Sequence, residues 1–165
     1  MARMEAKALS TPPSPINLAE VVQGAAPALT ELATRAGNHC TVVTAKPLWV
    51  QGYESLLFRL VFNLAENAIK YTPEGGTIEV TLEQQDRAAV LQVKDNGPGI
   101  AAEAQGHIFD RFFRGDPSRE GSGTGLGLAL VRSVTELHQG QISVSSAPGR
   151  GSCFRVTLPL LPEHL

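Results

Sequence analysis

The sequence predicts a two-layer mixed α/β sandwich, one mostly antiparallel sheet covered on one face by about three helices. Three observations carry that prediction. Apolar residues recur at three- and four-residue steps over three stretches, near residues 16–36, 54–71 and 126–138, which marks helices. Shorter segments that alternate or run apolar mark strands. Two pairs of these segments bracket short polar or glycine-rich turns, QDR at 85–87 and APGRG at 147–151, and therefore close as hairpins.

Taken in order, the first stretch, MARMEAKALSTPPSP, is rich in Pro, Ser and Ala and has no period. It reads as a linker or tail over 1–15, ahead of a single domain over 16–165. Helical spacing starts near Ile16 and uses Leu18, Val21, Val22, Ala25, Leu29, Leu32 and Ala33; Gly37 and Asn38 stop it. CTVVTA and PLWVQ read as strands. A long helix follows over 54–71, ended by Thr72 and Pro73, and PEGG is a turn. TIEVTLEQQ and AAVLQVKD form the first hairpin. Residues 97–123 are irregular, with a short helix near 101–109, and a third long helix covers about 126–138. QISVSS and SCFRVTLP form the closing hairpin.

Composition bounds the class. The 165 residues suffice for one sizeable core. With 42% hydrophobic and 18% charged residues, neither a disordered chain nor a coiled coil fits. A net charge of -2 supplies no bulk positive field for nucleic acid or an anionic membrane. Cys40 and Cys153 lack nearby ligand partners in sequence and read as reduced and buried, which suits a cytoplasmic setting. No apolar run approaches the roughly 20 residues that span a bilayer, and the amino end lacks the build of a signal peptide. No direct membrane contact is therefore expected of this segment.

Three motifs point to chemistry. In the 54–71 helix, Asn63, Asn67 and Lys70 fall at i, i+4 and i+7, on one stripe of an otherwise apolar helix. Asparagine is a mediocre helix former. The stripe reads either as a solvated face or as a site for an anion with a hard metal, since an amide oxygen ligates Mg²⁺ and an ammonium meets phosphate as a point charge. The second motif is DNGPGI, 95–100, directly after an apolar strand. It is either a plain turn or a carboxylate at the floor of a cleft, with glycines that let the backbone approach a ligand. An ionised Asp95 is acceptor-only and selects a ligand edge that donates, such as an exocyclic amine. The third is GSGTGLGL, 121–128, leading into a helix. Glycines ahead of a helix amino terminus suit phosphate. The run is neither a P-loop nor a dinucleotide fingerprint, because the lysine and the spacing are missing.

Together these motifs resemble the ATP-binding catalytic domain of sensor histidine kinases, within the group that includes gyrase, heat-shock chaperone and mismatch-repair ATPases and shares the Bergerat-type fold. NLAENAIKYT, 63–72, resembles the asparagine box. DNGPGI and GTGLGL, 123–128, resemble the two glycine boxes. IFDRFFRGD, 108–116, resembles the phenylalanine box of the histidine kinases, and the tail matches the family's closing hairpin. The likeness runs from about Ile16 to Pro162.

The resemblance implies ATP and Mg²⁺ as ligands. Asn67 would coordinate the metal and Asn63 would support it. Lys70 would contact phosphate, Tyr71 would pack by the nucleotide, and Asp95 would accept from the adenine amino group. Gly97, Gly99, Ile100 and Phe109 would line the base. Gly123, Thr124, Gly125, Leu126, Gly127 and Leu128 would close the phosphate end, under a lid over 115–123. Arg114, which otherwise reads as a surface arginine, would stabilise charge at the γ-phosphate. Glu66, otherwise a solvated helix residue, would orient the acceptor imidazole. The ATPases of the group carry a glutamate base where Asn63 stands, so efficient hydrolysis is not expected. A neutral imidazole already has a free lone pair and needs less help from a base.

The acceptor histidine belongs, by the same likeness, to a separate dimerisation domain, and a response regulator lies downstream. His39, His107, His138 and His164 lack the acceptor context; His138 reads as a helix cap. Tyr53 stands where the family has a capping aspartate. A gyrase-type ATPase switch, an anti-sigma-type serine kinase and a degenerate binding module remain the alternatives.

Overall fold

The computed structural model describes residues 11–110 and 127–162. Its elements run β1 (Ser14–Asn17), α1 (Leu18–Arg35), β2 (His39–Thr44), β3 (Trp49–Gly52), α2 (Glu54–Tyr71), β4 (Thr77–Gln85) and β5 (Ala88–Asp95), then α3 (Ala102–Gln105), α4 (Gly127–Leu137), β6 (Gln141–Ser146) and β7 (Ser152–Pro159). The main sheet has the order β2-β4-β5-β7-β6. Only β2 and β4 pair in parallel; β4–β5, β5–β7 and β6–β7 are antiparallel. The expected two-layer sandwich with a mixed, mostly antiparallel sheet is what forms.

Alternation explains how the sheet meets the helices. Ile78, Val80 and Leu82 of β4, Ala89, Leu91 and Val93 of β5, and Phe154, Val156 and Leu158 of β7 are buried on one face. α2 lies across them between α1 and α4 and inserts Leu57, Leu60, Val61, Leu64, Ala65 and Ala68. No helix among the described residues is long and apolar enough to cross a membrane.

Two elements differ from the sequence expectation. The helical spacing assigned from Ile16 begins at Leu18, and Ser14–Asn17 is instead a strand paired antiparallel with β3, with Ile16 opposite Val50. The reason is local. The Asn17 carboxamide accepts from the Ala19 N–H at 3.2 Å and from the Leu48 N–H at 3.2 Å, so it caps α1 and anchors the β1 end at once. The short helix near 101–109 contracts to one turn.

The helix that carries the asparagine stripe is held at both ends by residues distant in sequence. At its start, Tyr53 offers no side-chain cap. Its N–H instead donates to His138 Nε2 at 3.1 Å, while His138 Nδ1 lies 2.8 Å from the Val134 carbonyl. Nδ1 therefore carries the proton and Nε2 the lone pair. His138 thus ends α4 as a cap and also joins it to α2. At the far end of α2, the buried Asn38 amide donates to the carbonyls of Ile69 (3.3 Å) and Thr72 (3.0 Å) and accepts from the Gly76 N–H. These bonds satisfy carbonyls that a helix terminus leaves open.

Burial pushes the His138 pKa below its ordinary value, more strongly than the Val134 carbonyl raises it. The folded state therefore holds the neutral ring, and the unfolded state binds the proton first. Stability from this group is complete above about pH 6.5 and falls as pH drops below it toward the depressed folded value. His138→Gln is expected to lose roughly 1–3 kcal/mol at pH 7.5. The difference from wild type should shrink on going to pH 5.5, as urea unfolding at the two pH values will show; a constant difference would contradict the buried neutral ring.

Candidate functional site

Asp95 is the last residue of β5, a strand flanked on both sides, and shares the parity of the core-facing Leu91 and Val93. Its carboxylate therefore emerges on the helix side of the sheet. It accepts from the Gly97 N–H at 2.9 Å and from the backbone N–H of Ser152. Burial raises its pKa and the two N–H groups pull it down, with burial the larger effect.

Gly97 follows at the carboxyl end of α2. A Cβ there would lie 3.1 Å from Asp95 Oδ1, 3.2 Å from the Tyr71 carbonyl oxygen and 3.4 Å from Thr72 Cα. The missing side chain leaves a cradle between the carboxylate and the end of the helix. Gly99 has φ +80° and would place a Cβ 2.1 Å from the Ala147 oxygen, so only glycine fits. Ile100 packs on the core edge, and Phe109 meets Phe154 edge to face at 6.0 Å.

The amide stripe occupies the side of α2 that faces the start of α4. Asn63 donates from Nδ2 to the Arg59 carbonyl at 2.7 Å, which leaves Oδ1 directed outward, 3.6 Å from the Cβ position of Gly127. Asn63 and Asn67 are half-buried, as are Gly127 and Leu128. Glu66 and Lys70 form an i,i+4 ion pair at 3.4 Å on the outer flank. The structure therefore brings Asn63 to the amino end of α4 and Asp95 to Gly97 and the Tyr71 carbonyl. It holds Lys70 against Glu66. Arg114, Gly123, Thr124, Gly125 and Leu126 lie outside the described residues.

Several residues at the site were not singled out in the sequence. Ser152 donates its N–H to Asp95, Thr77 donates its N–H to the Asn96 carboxamide at 2.8 Å, and the turn after β6 lies against the 97–100 loop. The one available signal was the pair of glycines in APGRG. Gly149 and Gly151 both have positive φ, and a Cβ on Gly151 would lie 2.0 Å from the Asp95 oxygen. The glycine pattern marks a turn, and nothing in it says which loop the turn touches.

Chemically, the site offers an acceptor-only carboxylate beside a backbone floor free of side chains. One and two turns back along α2 from Tyr71 it offers the neutral amide oxygens of Asn67 and Asn63, the latter beside Gly127. Among the described residues no group of three or more His, Cys, Asp or Glu stands ready to hold a metal. A divalent ion would thus take few oxygens from protein and the rest from a ligand and water, which is the habit of Mg²⁺ with phosphates.

Comparison with known proteins gives a consistent picture. The family described as histidine kinase-, DNA gyrase B-, and HSP90-like ATPase matches residues 52–162. The chain is similar to the sensor histidine kinase RppB of Synechocystis, 47% identical over 115 residues, which is 68% of this chain and 25% of that protein. It is similar to the sensor protein kinase PmrB of Pseudomonas aeruginosa, 39% identical over 162 residues, 96% of this chain and 33% of that protein. The chain thus spans a third or less of the length of these curated relatives. Among solved structures, the mycobacterial sensor histidine kinase MprB superposes with a TM-score of 0.78 at 34% identity, covering 91% of this chain and 99% of that one. Full-length ShkA in complex with AMPPNP gives 0.78 at 27% identity, covering 90% of this chain and 31% of that one.

Proposed function

Because this chain belongs to the histidine kinase-, DNA gyrase B-, and HSP90-like ATPase family, we propose that it binds Mg-ATP and passes the γ-phosphoryl group to a histidine on the dimerisation and phosphoacceptor domain of a two-component sensor kinase. The observation that carries this reading is Asp95, a half-buried carboxylate at the end of a central strand, set beside the Gly97 cradle. It accepts from the adenine amino group, and the glycine floor lets the base lie against backbone. That ShkA is solved with AMPPNP supports a nucleotide at the same fold.

From the base, the ligand runs along α2 toward α4. Asn67, supported by Asn63, holds Mg²⁺ through amide oxygen; when bound, the metal offsets charge on the phosphate oxygens. Gly127 and Leu128 border the phosphate end. Lys70 exchanges Glu66 for phosphate, and the released Glu66 faces the acceptor imidazole and orients it. Arg114, Gly123, Thr124, Gly125 and Leu126 complete the phosphate end by family resemblance. An amide at position 63 takes no proton from water, so hydrolysis is slow and transfer to imidazole is favoured. Both cysteines are free thiols, Cys40 buried and Cys153 half-buried, as suits a cytoplasmic module that draws on ATP there.

The reading is tested by mixing the domain with γ-labelled Mg-ATP and a separately produced acceptor hairpin of the parent kinase. Label is expected on the hairpin only when both are present, and is expected to be lost in acid and kept in base. Acid-stable label would reassign the chain as a serine kinase. Steady phosphate release by the domain alone would make it an ATPase switch.

A further inference from the structure

The 97–100 loop beside Asp95 leaves the sheet after its carboxylate, so no strand partner holds its peptide groups. What holds them is the turn between β6 and β7. Ile100 donates its N–H to Ser146 Oγ at 2.8 Å, and Gly149 donates its N–H to the Pro98 carbonyl at 2.7 Å. Gln105, at the end of α3, donates from Nε2 to the Ile100 carbonyl at 2.9 Å and to the Ser146 carbonyl at 3.0 Å. Ser146 Oγ also donates to the Gly151 carbonyl and lies 2.9 Å from Ser152 Oγ. A hydroxyl has one hydrogen and two acceptor sites. The hydrogen goes to Gly151, so Ser152 must be the donor to Ser146, and all three sites are filled.

We propose that Ser146 and Gln105 are positioning residues for the nucleotide base: together they clamp the glycine floor at a fixed distance from the Asp95 carboxylate. The inference rests on the nucleotide reading of that site. Recognition by one carboxylate and a bare backbone surface depends on their spacing, because a floor displaced by an ångström breaks either the hydrogen bond or the contact with the base. Gln105 adds a second consequence. It lies just before the 107–110 segment, where Phe109 packs on Phe154, so the clamp also ties that segment to the floor.

The test uses calorimetry with ATP and GTP on wild type, Ser146→Ala, Ser146→Thr and Gln105→Glu, with thermal melts alongside. Gln105→Glu keeps the shape, but an ionised carboxylate cannot donate to two carbonyls. Ser146→Ala and Gln105→Glu are each expected to weaken ATP about tenfold and to compress the ATP-to-GTP affinity ratio. Ser146→Thr should restore both. If the variants bind ATP as wild type does, the clamp has no role in positioning. If ATP and GTP fall equally along with a lowered melting temperature, the role is structural only and the proposal is wrong. If wild type itself binds no ATP, the site reading fails and this inference with it.

Discussion

Asp95→Asn is expected to lose ATP affinity by about ten- to a hundredfold while the domain stays folded. The physical basis is the exchange of an acceptor-only carboxylate for an amide whose nitrogen donates toward the adenine amino group. A hydrogen bond to a charged group is worth roughly 1.5–3 kcal/mol, which sets the range. The stability side has the opposite sign. Burial raises the Asp95 pKa above its ordinary value of 3.8 in spite of the Gly97 and Ser152 N–H groups. A raised carboxylate pKa means that the ionised form is held less well folded than unfolded. Its cost is absent in acid and grows as pH rises from about 3.8 through the folded value. At neutral pH the neutral asparagine removes that cost and still accepts from Gly97. The variant should therefore melt at the same temperature or higher while binding poorly. Calorimetric titration with a matched melt checks both. Equal ATP affinity in the variant would remove Asp95 from the site, and a collapse in melting temperature would make its role structural.

Gly151→Ala should be among the most damaging single-methyl additions in the described structure. Gly151 holds φ +77°, where an L side chain costs about 1–2 kcal/mol, and its Cβ would sit 2.0 Å from the Asp95 carbonyl oxygen. That neighbour is backbone in a paired strand, with Asp95 registered opposite Ser152. Relief requires β7 to move from β5 just where the Ser152 N–H reaches the Asp95 carboxylate. Overpacking of this kind adds about 1–3 kcal/mol, for a total of roughly 2–5 kcal/mol. At about 2–4 °C per kcal/mol for a domain of this size, melting should fall by about 5–15 °C. ATP affinity should fall further than stability alone explains. Gly149→Ala is the internal control. It has φ +78° but nothing within 4 Å of the added methyl, so only the conformational cost of about 1–2 kcal/mol remains. Equal losses from the two variants would show that the close approach to β5 does not govern the site.

Much of this was legible in the residues. The 54–71 helix, both hairpins and the position of Asp95 at a strand end follow from local periodicity and turn chemistry, because the partners that stabilise them lie within a few residues. β1 was not legible: four residues with a proline carry too little pattern, and their partner, Trp49–Gly52, lies more than thirty residues on. The double role of His138 was half legible. A cap at the end of α4 is local, but its acceptance of the Tyr53 N–H joins residues 85 positions apart.

The sequence alone determined the chemical groups of the site and their order along the chain: amides and a cation on one helix stripe, a carboxylate at a strand end, glycines where backbone must be bare. These are properties of short segments, set by spacing and by what each side chain can donate or accept. Tertiary structure decided which groups meet. It brought Asn63 to Gly127 and laid the β6–β7 turn on the glycine floor through Ser146 and Gln105. Those contacts depend on sheet order and helix packing, which arise only when the whole apolar face is buried at once and which no window of sequence contains.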